Sequence, residues 1–172
     1  MCIRDSNLVL GEEPAAEENS RDSFIRDNGD QFFEGPVLLV EDNALNMEIA
    51  QEFIGLCGGT TECAWNGEEA VRMFKDASAG YYKLIFMDVQ MPQMDGYDAT
   101  RQIRLVEEAS GRMHTPIVAM SANAFVEDID KAYAAGMDSY VTKPIGIEEV
   151  RRTLYEYAHK RPLNHIKGSL KS

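Results

Sequence analysis

Five residues of this sequence have the types and placement to handle a phosphoryl group together. Glu41-Asp42 follows the apolar run Val37–Val40, Asp88 follows Leu84–Met87, Ser121 follows Pro116–Met120, and Lys143 follows Ser139–Thr142. In a parallel sheet the C-terminal ends of all strands lie along one edge, where open α/β sheets bind their ligands. If the runs are such strands, three carboxylates, a hydroxyl and an ammonium converge there. One polar residue after a strand is ordinarily just the start of a loop. Four such junctions carrying complementary groups are hard to reach by chance. Packed carboxylates repel one another and need a cation. Hard oxygen ligands with open positions suit Mg²⁺, which binds through one or two carboxylates and keeps several waters. A carboxylate can attack phosphorus to form an acyl phosphate. The charge on the transferring group is then handled mainly by positioned partners: Mg²⁺ on one side, Lys143 on a second, the Ser121 hydroxyl on a third.

The elements that must position these groups are legible from Pro36 onward. Val37–Val40 is a short buried run, and Ala44–Cys57 is helical, with Leu45, Ile49, Phe53 and Leu56 at the spacing of one helix face. Asn43 stands where an N-cap belongs, and Gly58-Gly59 ends the helix. Strands are predicted over Thr60–Ala64, Lys83–Met87, Thr115–Met120 and Ser139–Thr142. Helices are predicted over Gly67–Ala79, Gly96–Glu108, Val126–Ala135 (closed by Gly136) and Ile147–Lys160. Strand and helix thus alternate five times, the pattern of βαβ units forming a parallel sheet covered on both faces. Right-handed crossovers leave few topologies open.

The chain has 172 residues, enough for one domain with flanking segments. Its formal charge is −12: residues 1–35 carry −6, residues 36–158 carry −10 and residues 159–172 carry +4. A domain this acidic repels a phosphate backbone, so direct nucleic-acid binding is not expected. No apolar run approaches the roughly 18 residues of a membrane span, and no secretory signal is seen. Membrane insertion by this segment is therefore not expected, and a cytoplasmic location is. Cys2, Cys57 and Cys63 form no CxxC pair and read as reduced bystanders. Residues 1–35 read as an acidic, flexible linker, with Asn7–Leu10 as the one strand-like stretch. The opening MCIRDS reads as a translated sequencing adaptor, which would place the natural start further upstream. Residues 36–158 read as the folded domain and residues 159–172 as a basic tail.

The stretches VLLVEDNALN, LIFMDVQMPQMDG, IVAMSANA and YVTKP resemble the response-regulator receiver domain over about residues 36–158. MDVQMPQMDG is the most specific piece, and the EDN opening with QMP looks most like receivers attached to hybrid sensor histidine kinases. The resemblance implies a doubly wound, flavodoxin-like (βα)5 three-layer sandwich with strand order 2-1-3-4-5. By position it implies Asp88 as phosphoacceptor, Asp42 as direct Mg²⁺ ligand, Glu41 as an acid reaching the ion through water, and Gln90 as the donor of a backbone carbonyl. It further implies Ser121 as the switch hydroxyl, Lys143 as the partner of the phosphoryl group, Tyr140 as the aromatic that swings inward on activation, and a cis Lys143–Pro144 peptide. The implied partner is a histidine kinase or a histidine phosphotransfer protein, and a phosphorylation-dependent dimer is an open expectation.

Other residues have plainer readings. Asp95-Gly96 is a turn and helix cap; Asn43 and Asn46 are cap and packing residues; Met87, Met91, Met94 and Met120 pack. His114, His159 and His165 have no carboxylate at useful sequence spacing and read as incidental. Asn123 and Gln90 flank the site and are expected to tune acyl-phosphate hydrolysis. A phosphatase using Asp88 as nucleophile would want a second carboxylate two residues on, where Gln90 stands instead. A pure interaction module is disfavoured by the intact cluster. Only fourteen residues follow position 158. The expectation is thus a receiver from a hybrid kinase, with a free-standing single-domain regulator as the alternative.

Overall fold

The structure, a computed structural model, describes residues 32–159. The readings of Asn7–Leu10, of MCIRDS, of His165 and of most of both flanking segments fall outside the described residues. Five strands, β1 (Pro36–Val40), β2 (Thr60–Ala64), β3 (Leu84–Asp88), β4 (Ile117–Ser121) and β5 (Ser139–Thr142), alternate with five helices. The helices are α1 (Ala44–Leu56), α2 (Gly67–Asp76), α3 (Gly96–Ser110), α4 (Val126–Ala135) and α5 (Ile147–His159). All strand pairs are parallel and the order is β2-β1-β3-β4-β5. The three inner strands, β1, β3 and β4, are almost continuously apolar because both their faces are covered, as is usual for parallel sheets, whereas the edge strands β2 and β5 are more polar and less buried.

Successive side chains along a strand point to opposite faces, and the two cores follow that rule. Leu38, Val40, Ile85, Met87, Ile117 and Ala119 face α2, α3 and α4, where Ala70, Phe74, Ala99, Ile103 and Ala132 meet them. Val37, Leu39, Leu84, Phe86, Val118 and Met120 face α1 and α5, where Met47, Ala50, Ile54, Val150 and Leu154 meet them. Burying a large aliphatic side chain such as Ile54 contributes about 1.5–3 kcal/mol.

The observed face of α1 corrects one sequence expectation. Leu45, Ile49 and Leu56 are exposed, and Met47, Ala50 and Ile54 are buried in their stead. The helix is apolar on more than one side, so periodicity alone does not choose the buried stripe. The small Ala50 and the tight approach of Gly59 to Ile54, where a Cβ would stand 2.7 Å from Ile54 Cγ2, do. A second finding concerns the entry to the domain. Phe33 lies in the core, and the N–H groups of Phe32 and Phe33 both donate to the Cys57 carbonyl at 3.0 Å. Packing therefore begins upstream of Pro36.

Three helices start with side-chain caps. Asn43, Asn66 and Asp95 accept from the N–H groups of Asn46, Glu69 and Asp98 at 3.0, 2.8 and 2.9 Å. By contrast, α4 starts at Phe125 with no side-chain cap.

Candidate functional site

Each site residue stands where a strand runs out. Glu41 follows β1, Asp88 is the last residue of β3, Ser121 the last of β4, and Lys143 follows β5. Because β1 and β3 are neighbours and β4 and β5 follow on, the four junctions share one edge. Glu41 and Asp88 are each 1% exposed, whereas Asp42 is exposed. Oxygens of Glu41, Asp42 and Asp88 all lie within 4.8 Å of one another. Lys143 reaches between them: its Nζ stands 2.8 Å from Glu41 Oε2 and 3.0 Å from Asp88 Oδ2.

Local backbone geometry fixes these side chains. The Asn43 N–H donates to Glu41 Oε1 at 3.1 Å, and the Gln90 N–H donates to Asp88 Oδ1 at 3.0 Å. The Lys143 N–H donates to the Ser121 carbonyl at 2.7 Å, tying the lysine to the end of β4. The Asn123 N–H donates to Ser121 Oγ at 3.2 Å. The Lys143–Pro144 peptide is cis.

The electrostatics are unbalanced. Among the described residues, three carboxylates face one ammonium. Burial pushes Asp88 up to about 7, helped by the Glu41 carboxylate and opposed by Lys143 and the Gln90 N–H. Burial alone would lower Lys143, but Glu41 and Asp88 outweigh it and hold the ammonium above its ordinary value. Asp88 Oδ2 is buried and accepts no well-aligned hydrogen bond although Lys143 is near. A buried acceptor left in that state is costly. Such an atom, beside two more carboxylates, fits a hard cation and an electrophile brought to it.

Sequence reasoning placed these groups together but missed others. Gly96 is more than part of a turn: a Cβ there would stand 2.3 Å from the Asp88 carbonyl oxygen and 2.9 Å from Val89 Cα. Only a residue without a side chain lets α3 begin so close to the Asp88 backbone. The Asp-Gly pair was the visible signal, though its reason was not. His114, expected to lack a carboxylate, has its Nε2 2.6 Å from Asp138 Oδ1. Their separation of 24 positions hid the pair. Tyr97 also lies near the site, its hydroxyl donating to the Asp128 carbonyl at 3.3 Å. Tyr140 is half-buried beside Ser121 in the wall of a small cavity.

Comparison with known proteins agrees with this geometry. Residues 37–155 match the family described as the response regulator receiver domain. A probable histidine kinase of rice (Oryza sativa subsp. indica) is 38% identical over 156 residues, covering 84% of this chain but 14% of the kinase. The chain thus spans about a seventh of that relative. The receiver domain of the Saccharomyces cerevisiae response regulator Ssk1, solved with the histidine phosphotransfer protein Ypd1, superimposes with a TM-score of 0.69 at 34% identity, covering 74% of this chain and 90% of that one. The receiver domain of a Pseudomonas aeruginosa sensor histidine kinase, solved with a magnesium ion in its active-site cleft, superimposes with a TM-score of 0.65 at 34% identity, covering 74% of this chain and all of that one.

Proposed function

The chain belongs to the response-regulator receiver family of two-component signalling, and we propose that Asp88 is the residue on which it accepts the phosphoryl group. The observation that carries this reading is the buried Asp88 Oδ2, short of a well-aligned hydrogen bond and 3.0 Å from an ammonium. A carboxylate oxygen of Asp88 attacks the phosphorus of a phosphohistidine. The P–N bond breaks, its electron pair returns to the imidazole, and an acyl phosphate forms. Lys143, already bridging Glu41 and Asp88, neutralises an equatorial oxygen. The Ser121 hydroxyl, at the end of the neighbouring strand, donates to another. Glu41, Asp42, Asp88 and the Gln90 carbonyl are the groups that would hold Mg²⁺. The ion, when bound, supplies charge neutralisation for the carboxylates and the phosphoryl oxygens alike.

The switch follows from the same contacts. A phosphoryl group on Asp88 draws Ser121 toward it, and Tyr140 turns into the space behind. The ends of β4 and β5 are tied by the Lys143–Ser121 backbone bond, so the change passes to α4 and α5. The donor is a histidine phosphotransfer protein or a histidine kinase. The docking face is α1, which leaves the site edge carrying exposed Leu45, Ile49 and Leu56. Apolar residues at this spacing suit a helical partner, and the Ssk1 receiver was solved with such a protein. The kinase relatives support a place within a longer hybrid kinase.

The test is intact mass spectrometry after incubation with Mg²⁺ and a small acyl-phosphate donor. One phosphoryl adduct, dependent on Mg²⁺ and lost in Asp88→Asn, is expected. An adduct that persists at full stoichiometry in Asp88→Asn would sink the assignment. Ile49→Glu should leave labelling by the small donor intact and weaken transfer from a phosphotransfer protein.

A further inference from the structure

A small cavity of about 10 Å³ is walled by Ser121, Tyr97, Asp128, Ile129, Ala132 and Tyr140 among others. That is barely the room one water needs, so a phenol ring cannot enter until a wall moves. Two walls are rigid. Ala119 and Ser121 belong to β4, a central strand hydrogen-bonded on both sides, and Val89 is pinned by its N–H to the Met120 carbonyl at 3.1 Å. The weak wall is α4. It has no side-chain cap at its start, and it buries only the small side chains of Ala132 and Ala135. Phe125 and Val126 at its N-terminus are 63% and 70% exposed. An element with so little apolar burial is among the first to shift.

One side chain ties the start of α4 to a fixed element. Tyr97 sits in the first turn of α3, which is anchored by the Asp95 cap and by the close packing of Gly96 on the Asp88 backbone. Its hydroxyl donates to the Asp128 carbonyl in the first turn of α4. Its ring forms part of the same cavity wall.

We propose that Tyr97 is the latch of the switch: its hydroxyl on the Asp128 carbonyl holds α4 against α3 and keeps closed the space that Tyr140 must enter. The inference rests on the inward turn of Tyr140 proposed above. The latch opens when α4 moves away, and the cavity then widens on the side facing Tyr140. Tyr97 is thus a positioning residue that sets the resting balance between the two arrangements, without touching the phosphoryl group.

The experiment compares the full chain with Tyr97→Phe, which keeps the ring and removes the hydroxyl. Both are labelled with fluorotyrosine, and the Tyr140 resonance is assigned with Tyr140→Phe. Its accessibility to a soluble paramagnetic agent is read without any phosphoryl donor. Tyr97→Phe should make Tyr140 less accessible, with the inward population raised about two- to tenfold, the factor that one ordinary net hydrogen bond confers. Unchanged or increased accessibility of Tyr140 overturns the latch, whatever the labelling rate. Failure of the underlying phosphoacceptor reading shows separately, as the absence of an Asp88-dependent adduct in the unsubstituted chain.

Discussion

The two edges of the sheet each gather buried or half-buried charges, and they treat them in opposite ways. At the C-terminal edge, Glu41, Asp42 and Asp88 cluster, Lys143 pairs with Glu41 and Asp88 as the one cation there among the described residues, and Asp88 Oδ2 lacks a well-aligned donor. At the N-terminal edge, Arg104 forms a closed network. Its Nη1 donates to both Glu107 oxygens at 3.0 and 2.8 Å and to the Thr115 carbonyl at 2.8 Å. Its Nε and Nη2 donate to the Gly136 carbonyl, and Nη2 also to Asp138 Oδ2 at 2.9 Å. The acceptors are filled from the backbone as well, by the N–H groups of Thr115 on Glu107 and of Ile117 on Asp138. A satisfied buried network rigidifies, whereas an unsatisfied one stores a cost that a ligand can relieve. The contrast separates an edge that holds the fold from the edge at which the phosphoryl chemistry is proposed.

The largest effect should come from removing Lys143, the cation paired with Glu41 and Asp88 at the proposed chemical edge. Lys143→Ala is expected to slow phosphoryl labelling by about 10²–10³-fold, the range for deleting one positioned electrostatic partner; labelling at the parent rate would break the comparison. Next is Arg104→Ala, which strands Glu107 and Asp138. Loss of about 3–5 kcal/mol in denaturant unfolding is expected, with little change in labelling of the fraction still folded. A comparable loss of stability from Lys143→Ala would erase the distinction between the edges.

Asp88→Asn should act in the opposite direction and stabilise the metal-free chain. The folded-state carboxyl sits at about 7 rather than its ordinary 3.8, so the folded chain holds a proton that the unfolded chain releases. Stability from this group is therefore lost as pH rises from about 4 to about 7. Denaturant midpoints should show the variant gaining on the parent across that window, by about 2–4 kcal/mol in total, and the gap should shrink when Mg²⁺ is added. A parent chain whose advantage over Asp88→Asn grows with pH would contradict this. The smallest effect should be His114→Gln. The His114–Asp138 pair is partly exposed, and such pairs are worth about 0–1 kcal/mol. A larger loss would make His114 a full member of the closed network.

Much of the chemical edge was legible because it is written in local signals. Four runs of strand length, each followed by polar residues (two after the first), placed Glu41, Asp42, Asp88, Ser121 and Lys143. The closed network was invisible for the converse reason. Arg104 and Asp138 are 34 residues apart, and His114 and Asp138 are 24 apart. Nothing in either neighbourhood announces the other.

The sequence by itself determined the alternation of strands and helices, the caps at Asn43 and Asp95, and the set of groups brought to one edge. These depend on backbone sterics and on periods of two and 3.6, which act within a few residues. Tertiary structure alone decided which apolar stripe of α1 is buried, that Phe33 joins the core, that Arg104 finds Asp138, and that Tyr97 reaches the first turn of α4. Each of those is a choice among alternatives that look equal locally. It is settled by close packing between elements far apart in the chain, where small changes in volume and approach decide which faces can meet.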